Sequence, residues 1–100
     1  MTPPPRYRRH PRMRLTTVDG EGVVVQLSTR RYFSVNESGM AILELLDAPH
    51  TVDELVSALY ARYDVTKHQA EVTVREFLAR CRDADVLQLE NGAGDGPSRI

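Results

Sequence analysis

The sequence predicts one α+β domain with a winged-helix-like order, in which a three-stranded antiparallel β-meander precedes three α-helices. Three observations predict it: period-two alternation of apolar residues in the first third of the chain, a change to helical periodicity at Asn36, and two later helix-capping sequences. This β-β-β-α-α-α order occupies residues 12–90, the length of one small domain. Residues 1–11 are predicted to form a flexible Arg/Pro-rich arm and residues 91–100 a disordered, Gly-rich tail.

The three strands are predicted from alternating apolar residues separated by two turns. The first strand covers residues 12–17, and Asp19–Gly22 supplies the residues that a tight reversal requires. The second strand is Val23–Ser28, a turn without glycine follows at residues 29–30, and the third strand is Arg31–Val35. One face of the first strand carries Met13, Leu15 and Thr17, and one face of the second carries Val23, Val25 and Leu27. On the third strand Phe33 and Val35 share one face, and Tyr32 and Ser34 lie on the opposite face.

The three helices are predicted from their capping residues. Asn36 is a suitable N-cap for a first helix over residues 37–47. Thr51-x-x-Glu54 and Thr66-x-x-Gln69 are capping boxes that open the second and third helices. The apolar stripes are Met40, Ile42, Leu43, Leu45 and Leu46; then Val52, Leu55, Val56, Leu59 and Tyr63; then Ala70, Val74, Phe77, Leu78 and Cys81, with Val86 and Leu87 closing the core.

Composition excludes several classes of protein. No apolar run approaches the roughly 20 residues that span a bilayer, and no apolar stretch follows the basic N-terminus as in a secretory signal, so we expect a cytoplasmic protein without membrane contact. A single cysteine, Cys81, excludes an intramolecular disulfide. The three histidines lack ligand spacing, and no nucleophile or phosphate-loop motif occurs. We therefore expect no catalytic residue, metal or cofactor.

DNA binding is an alternative that the winged-helix order leaves open, with the third helix in the major groove. Affinity for DNA depends on neutralising phosphates, however, and the polar residues of that helix are nearly balanced in charge. Residues 1–31 carry seven arginines against Asp19 and Glu21, a balance of +5, whereas residues 32–100 carry −6. The basic excess lies on the arm and first hairpin, which favours a partner other than nucleic acid.

The free edge of the third strand predicts the function. A meander leaves two edge strands, and nothing in Arg31–Val35 blocks pairing, since this strand has neither proline nor lysine. If the third helix packs alongside, a guest peptide gains main-chain hydrogen bonds from the strand and side-chain contacts from the helix. The other possible occupants of this edge are a second copy of the chain or its own N-terminal arm.

The folded unit resembles the PqqD-like family, also called RiPP recognition elements, over about residues 13–88. The resemblance rests on the meander with its final aromatic pair, on VNESG at the junction of strand and helix, and on ILELLD, TVDEL and ARYDV in that order. It implies a domain without catalytic activity that binds the leader segment of a ribosomally made precursor peptide as a fourth strand. A free-standing chain of this size resembles most the leader-recognition protein of lasso-peptide biosynthesis, with the pyrroloquinoline-quinone pathway as the alternative.

The resemblance also implies partners and contact residues. The partners would be the precursor leader and the leader peptidase, with the cyclase of the same pathway as a further candidate, and the chain would be a monomer or a weak homodimer. Carried onto this sequence, the backbone of the third strand pairs with the leader, Val74 and Leu78 line apolar pockets or are wholly buried, and three charged residues form a polar rim. The residues implied are Arg31, Tyr32, Phe33, Ser34 and Val35, and from the third helix Glu71, Val74, Arg75, Leu78 and Arg82.

Overall fold

The computed structural model describes residues 4–90 and confirms the predicted α+β architecture. The predicted tail, residues 91–100, lies outside the described residues. The strands are β1 (Arg6–Arg9), β2 (Met13–Val18), β3 (Glu21–Gln26), β4 (Arg31–Val35) and β5 (Leu87–Glu90), and the helices are α1 (Glu37–Leu45), α2 (Val52–Arg62) and α3 (Lys67–Asp83).

The predicted meander is the antiparallel sheet β2-β3-β4, and β4 is one of its edges. Its first turn uses left-handed backbone at Asp19 and Gly20, with φ angles of 53° and 83°. The second turn places Arg30 at φ 64°, a conformation that usually favours glycine. β3 ends at Gln26, so this turn covers residues 27–30 rather than the predicted residues 29–30, and a strained arginine stands in it where a glycine would be unstrained.

The face of β3 that packs on the helices is the one opposite to its valine-rich face. Gly22, Val24 and Gln26 are buried, whereas Val23 and Val25 are only partly so. Gln26 is satisfied inside, because its Nε2 donates to the Asp85 carbonyl at 2.6 Å and its Oε1 accepts from the Ser28 N–H at 2.7 Å. Because this core face carries a glycine and a glutamine, the pattern of apolar residues in the sequence does not identify it as buried.

All three predicted helix starts are confirmed by their caps. The Asn36 side chain accepts the Gly39 N–H at 2.9 Å, which begins α1. Both capping boxes are complete, with the hydroxyl of Thr51 at 3.1 Å from the Glu54 N–H and that of Thr66 at 3.0 Å from the Gln69 N–H. In the reciprocal hydrogen bond the Thr51 backbone N–H donates to the Glu54 carboxylate at 2.8 Å, and this bond lowers the pKa of Glu54.

One apolar core joins the meander to the helices. Its fully enclosed side chains come from β3, from every helix and from the residues that follow α1 and α3: Val24, Ile42, Leu43, Leu46, Leu55, Val74, Cys81 and Val86. Val86 and Leu87 close the core as the sequence predicts, at 1% and 8% exposure. Within residues 4–90, no helix has both the length and the apolarity needed to cross a membrane.

The structure differs from the predicted flexible arm at Arg6–Arg9, which form a strand. β1 pairs antiparallel with β5, and its Tyr7 also exchanges backbone hydrogen bonds of 2.7 and 2.9 Å with His50. Ion pairs join three of its arginines to distant carboxylates: Arg6 to Glu54, Arg8 to Glu90 and Arg9 to Asp47. The sequence predicts a flexible arm because the carboxylate partner of each arginine lies at least 38 residues away along the chain.

Deleting residues 1–11 is expected to lower the free energy of unfolding by about 2–4 kcal/mol. The deletion removes the β1–β5 hydrogen bonds and the partly buried Tyr7 ring, contributions of roughly 1 kcal/mol per hydrogen bond and more for the ring. Urea unfolding followed by circular dichroism measures the change. An unchanged midpoint would support the flexible arm predicted from sequence.

Candidate peptide-binding groove

A groove runs between the free edge of β4 and one face of α3. Two cavities form it. The larger, about 950 Å³, lies where the β2–β3 turn, the end of β4 and the start of α1 face α3. The smaller, about 210 Å³, lies between the start of β4 and the end of α3. The residues of α3 that line them are Thr73, Glu76, Phe77, Arg80 and Asp83.

The free edge of β4 is directed at this groove. The Ser34 carbonyl oxygen accepts a hydrogen bond from Arg80 Nη2 on α3, at 3.2 Å, so it points away from β3. Residues two apart in an antiparallel strand point their backbone groups the same way, which places those of Tyr32 on the same edge. The intervening residues pair with β3, with Phe33 opposite Val24 and Val35 opposite Gly22. The edge therefore presents backbone donors and acceptors to the groove.

Two phenylalanines and one arginine form the walls of the groove. The Arg80 guanidinium lies over the Phe33 ring, 4.6 Å from its centroid. Phe77, partly buried, packs against the first turn of α1 so closely that a Cβ on Gly39 would lie 2.8 Å from its Cε1 atom. Glycine at position 39 therefore sets how near α3 lies to α1. The result is an apolar surface with an exposed polar border beside the free edge of β4.

Residues 21–87, which include β4 and α3, match the family model described as coenzyme PQQ synthesis protein D (PqqD). The chain belongs to the PqqD family. Among curated proteins, no sequence matches it.

Solved structures with the same fold include two proteins in complexes with leader peptides. TbiB1, in a complex with the TbiA(beta) leader peptide, shares 26% identity, with a TM-score of 0.72 over 90% of this chain and 99% of the other. Lasso peptide synthetase B1, complexed with its leader peptide, shares 17% identity, with a TM-score of 0.71 over 82% and 96%. The PqqD truncation of Methylobacterium extorquens PqqCD, a stand-alone RiPP recognition element, shares 24% identity, with a TM-score of 0.70 over 83% and 88%.

The strand residues singled out from the sequence lie together along this PqqD-family edge. Arg31, Tyr32 and Phe33 line the smaller cavity, and Ser34 and Val35 line the larger. Tyr32 is 76% exposed and lies on the outer face, whereas Val35 is 7% exposed and belongs to the core. The free backbone groups of this edge belong to Tyr32 and Ser34, and Phe33 alone among the five side chains is a partly buried apolar wall of the groove.

The residues singled out on the third helix do not line the groove. Val74 and Leu78 are core residues, at 0% and 4% exposure, so the structure supports their burial rather than pocket walls. The predicted rim lies on another face of α3: at 100° per residue, Arg75 is about 200° around the helix from Phe77. Glu71 bonds to Arg75 at 3.0 Å on that face, which Arg82 shares.

On the third helix, sequence reasoning missed the groove residues Thr73, Glu76, Phe77, Arg80 and Asp83. The apolar pattern places Phe77 only in the core-facing stripe of the third helix. Phe77 lies at one border of that stripe, and only the structure shows that this border faces β4; positions 73 and 80 then follow by helical spacing.

The chemistry of the site is that of binding. Burial raises the pKa of the Cys81 thiol to about 12, so this cysteine is not a nucleophile near neutral pH. Within residues 4–90 no cluster of three metal-ligating side chains occurs. Backbone hydrogen-bonding groups, an apolar wall and a polar border are the features with which a protein recognises an extended peptide.

Proposed function

We propose that this PqqD-family chain binds the leader segment of a ribosomally synthesised precursor peptide by β-strand addition to β4. The observation that carries the proposal is the outward-pointing backbone edge of β4 beside the Phe33–Phe77 groove. Backbone pairing supplies about 1 kcal/mol per hydrogen bond without sequence preference, so the side chains that enter the groove supply the selectivity. The leader complex of TbiB1, a protein 26% identical to this chain, supports this assignment.

Once the leader is bound, the chain holds it for modifying enzymes of the same pathway, a leader peptidase and a cyclase. The chain itself performs no chemistry. A lasso-peptide pathway in the cytoplasm is favoured because lasso peptide synthetase B1, complexed with the leader peptide, has this fold over 82% of this chain.

A second candidate is presentation of the precursor of pyrroloquinoline quinone, which the description of the matching family model favours. DNA binding is disfavoured by the groove itself. Its larger cavity is bordered by three carboxylates, Glu21, Glu37 and Glu76, which repel phosphate.

Fluorescence anisotropy of a labelled synthetic leader, taken from the precursor encoded beside this gene, tests the proposal. We expect saturable binding at micromolar or lower concentration, competition by unlabelled leader, and no response from a labelled DNA duplex. A pyrroloquinoline-quinone precursor peptide serves as the second probe, and preferential binding of it would transfer the assignment to that pathway. Salt-sensitive DNA binding without leader binding would contradict the proposal.

A further inference from the structure

Arg80 lies at the centre of the groove without a carboxylate partner among the described residues. It lines both cavities, and its guanidinium is held by the Phe33 ring at 4.6 Å and by the Ser34 carbonyl at 3.2 Å. Arg75 on the same helix instead bonds to Glu71. A guanidinium carries five N–H donors, and one of those of Arg80 has an acceptor within residues 4–90.

The hydrogen bond of Arg80 uses the same acceptor that a guest strand needs. A peptide pairing with β4 offers a backbone N–H to the Ser34 oxygen. Arg80 must then share this oxygen or release it, while stacking on Phe33 keeps the guanidinium beside the guest. The freed donors require a new acceptor as the guest displaces water from the groove.

We propose that Arg80 is a specificity-determining residue that selects guests with an aspartate or glutamate side chain facing α3 beside Ser34. This inference rests on the peptide-binding function proposed above. A carboxylate accepts two parallel N–H bonds from a guanidinium, which no neutral side chain matches in strength. Because stacking already orients the planar group, less side-chain entropy is lost when the pair forms.

The charges around Arg80 restrict the preference for an acidic guest residue to one position of the guest peptide. Glu76 lies one turn before it and Asp83 one turn after it on the groove side of α3, and neither is within ion-pair distance of its guanidinium. A guest carboxylate displaced toward either neighbour meets repulsion, whereas a guest lysine placed at Arg80 meets repulsion from the guanidinium. The preference for an acidic residue is therefore expected at one register position of the guest.

Display of random 12-residue peptides tests this proposal without an identified leader. The library is selected separately on the wild-type chain, Arg80→Gln, Arg80→Glu and the matched control Arg82→Gln. Arg82→Gln makes the same charge change two residues away, on the opposite side of α3. Melting temperatures of the variants, measured by circular dichroism, should stay within a few degrees, because both arginines are exposed.

We expect the wild type and Arg82→Gln to enrich aspartate and glutamate about 5- to 10-fold at one peptide position. Arg80→Gln should lose that enrichment while retaining the apolar preferences, and Arg80→Glu should enrich lysine and arginine there. Selected peptides with no acidic preference, or with one that Arg80→Gln retains, would overturn the role of Arg80 and leave the binding function standing. Failure of the wild type to enrich any peptide would overturn both.

Discussion

Replacing Ser34 by proline is expected to weaken leader binding about 100-fold and to leave the fold intact. The Ser34 carbonyl points toward α3, so its N–H lies on the same free edge and takes no part in pairing with β3. Proline removes this donor and places its ring where the guest backbone must approach. A guest carbonyl left without its donor costs about 1–3 kcal/mol, which is roughly 10- to 100-fold in affinity, and the ring adds a steric penalty.

Ser34→Ala is the matched control for this variant. Alanine keeps the backbone N–H and removes only an exposed hydroxyl, so leader affinity should change less than about 2-fold. Anisotropy gives the dissociation constants, and circular dichroism checks that both variants keep their unfolding midpoints to within a few degrees. If Ser34→Pro bound the leader as tightly as Ser34→Ala, strand addition to β4 would be wrong and the peptide would have to bind elsewhere.

The sequence was sufficient to predict the meander and the helices because local signals specify them. Asn36 and the capping boxes at Thr51 and Thr66 satisfy backbone donors within four residues, so each helix start can be recognised without tertiary information. β1 escaped prediction for the opposite reason. Three of its four residues are arginines, and they become ordered only by pairing with β5, which lies about 80 residues further along the chain.

The candidate groove could be located from the sequence along β4 but not along α3. Strand alternation is strict, so the residues whose backbone faces the edge follow directly from Arg31–Val35. On α3 the apolar stripe is broad, and periodicity does not tell which of its two borders faces β4. Which border faces β4 depends on how α3 packs over the sheet. The sequence therefore pointed to Val74 and Leu78, whereas in the structure Phe77 and Arg80 line the groove.

Although the two residues are adjacent, Leu78→Ala is therefore expected to lower mainly the stability of the fold, and Phe77→Ala mainly the affinity for the leader. Leu78 is 4% exposed within the core, so its truncation should lower the free energy of unfolding by about 2–5 kcal/mol. Phe77 is a partly buried wall of the groove, so its truncation should cost less stability and remove about 2 kcal/mol of leader affinity, roughly 30-fold.

Urea unfolding measures the stability of both variants, and anisotropy at low temperature, where the folded form of each predominates, measures their affinity for the leader. For each variant, the loss of stability compared with the loss of leader affinity tells whether the side chain belongs to the core or to the groove. A Leu78→Ala variant with normal stability and weak binding would make Leu78 a pocket residue, as one of the two sequence-based alternatives holds. Equal losses of stability for both variants, with unchanged affinity for Phe77→Ala, would remove Phe77 from the site and move the apolar contact of the leader to Phe33 on β4.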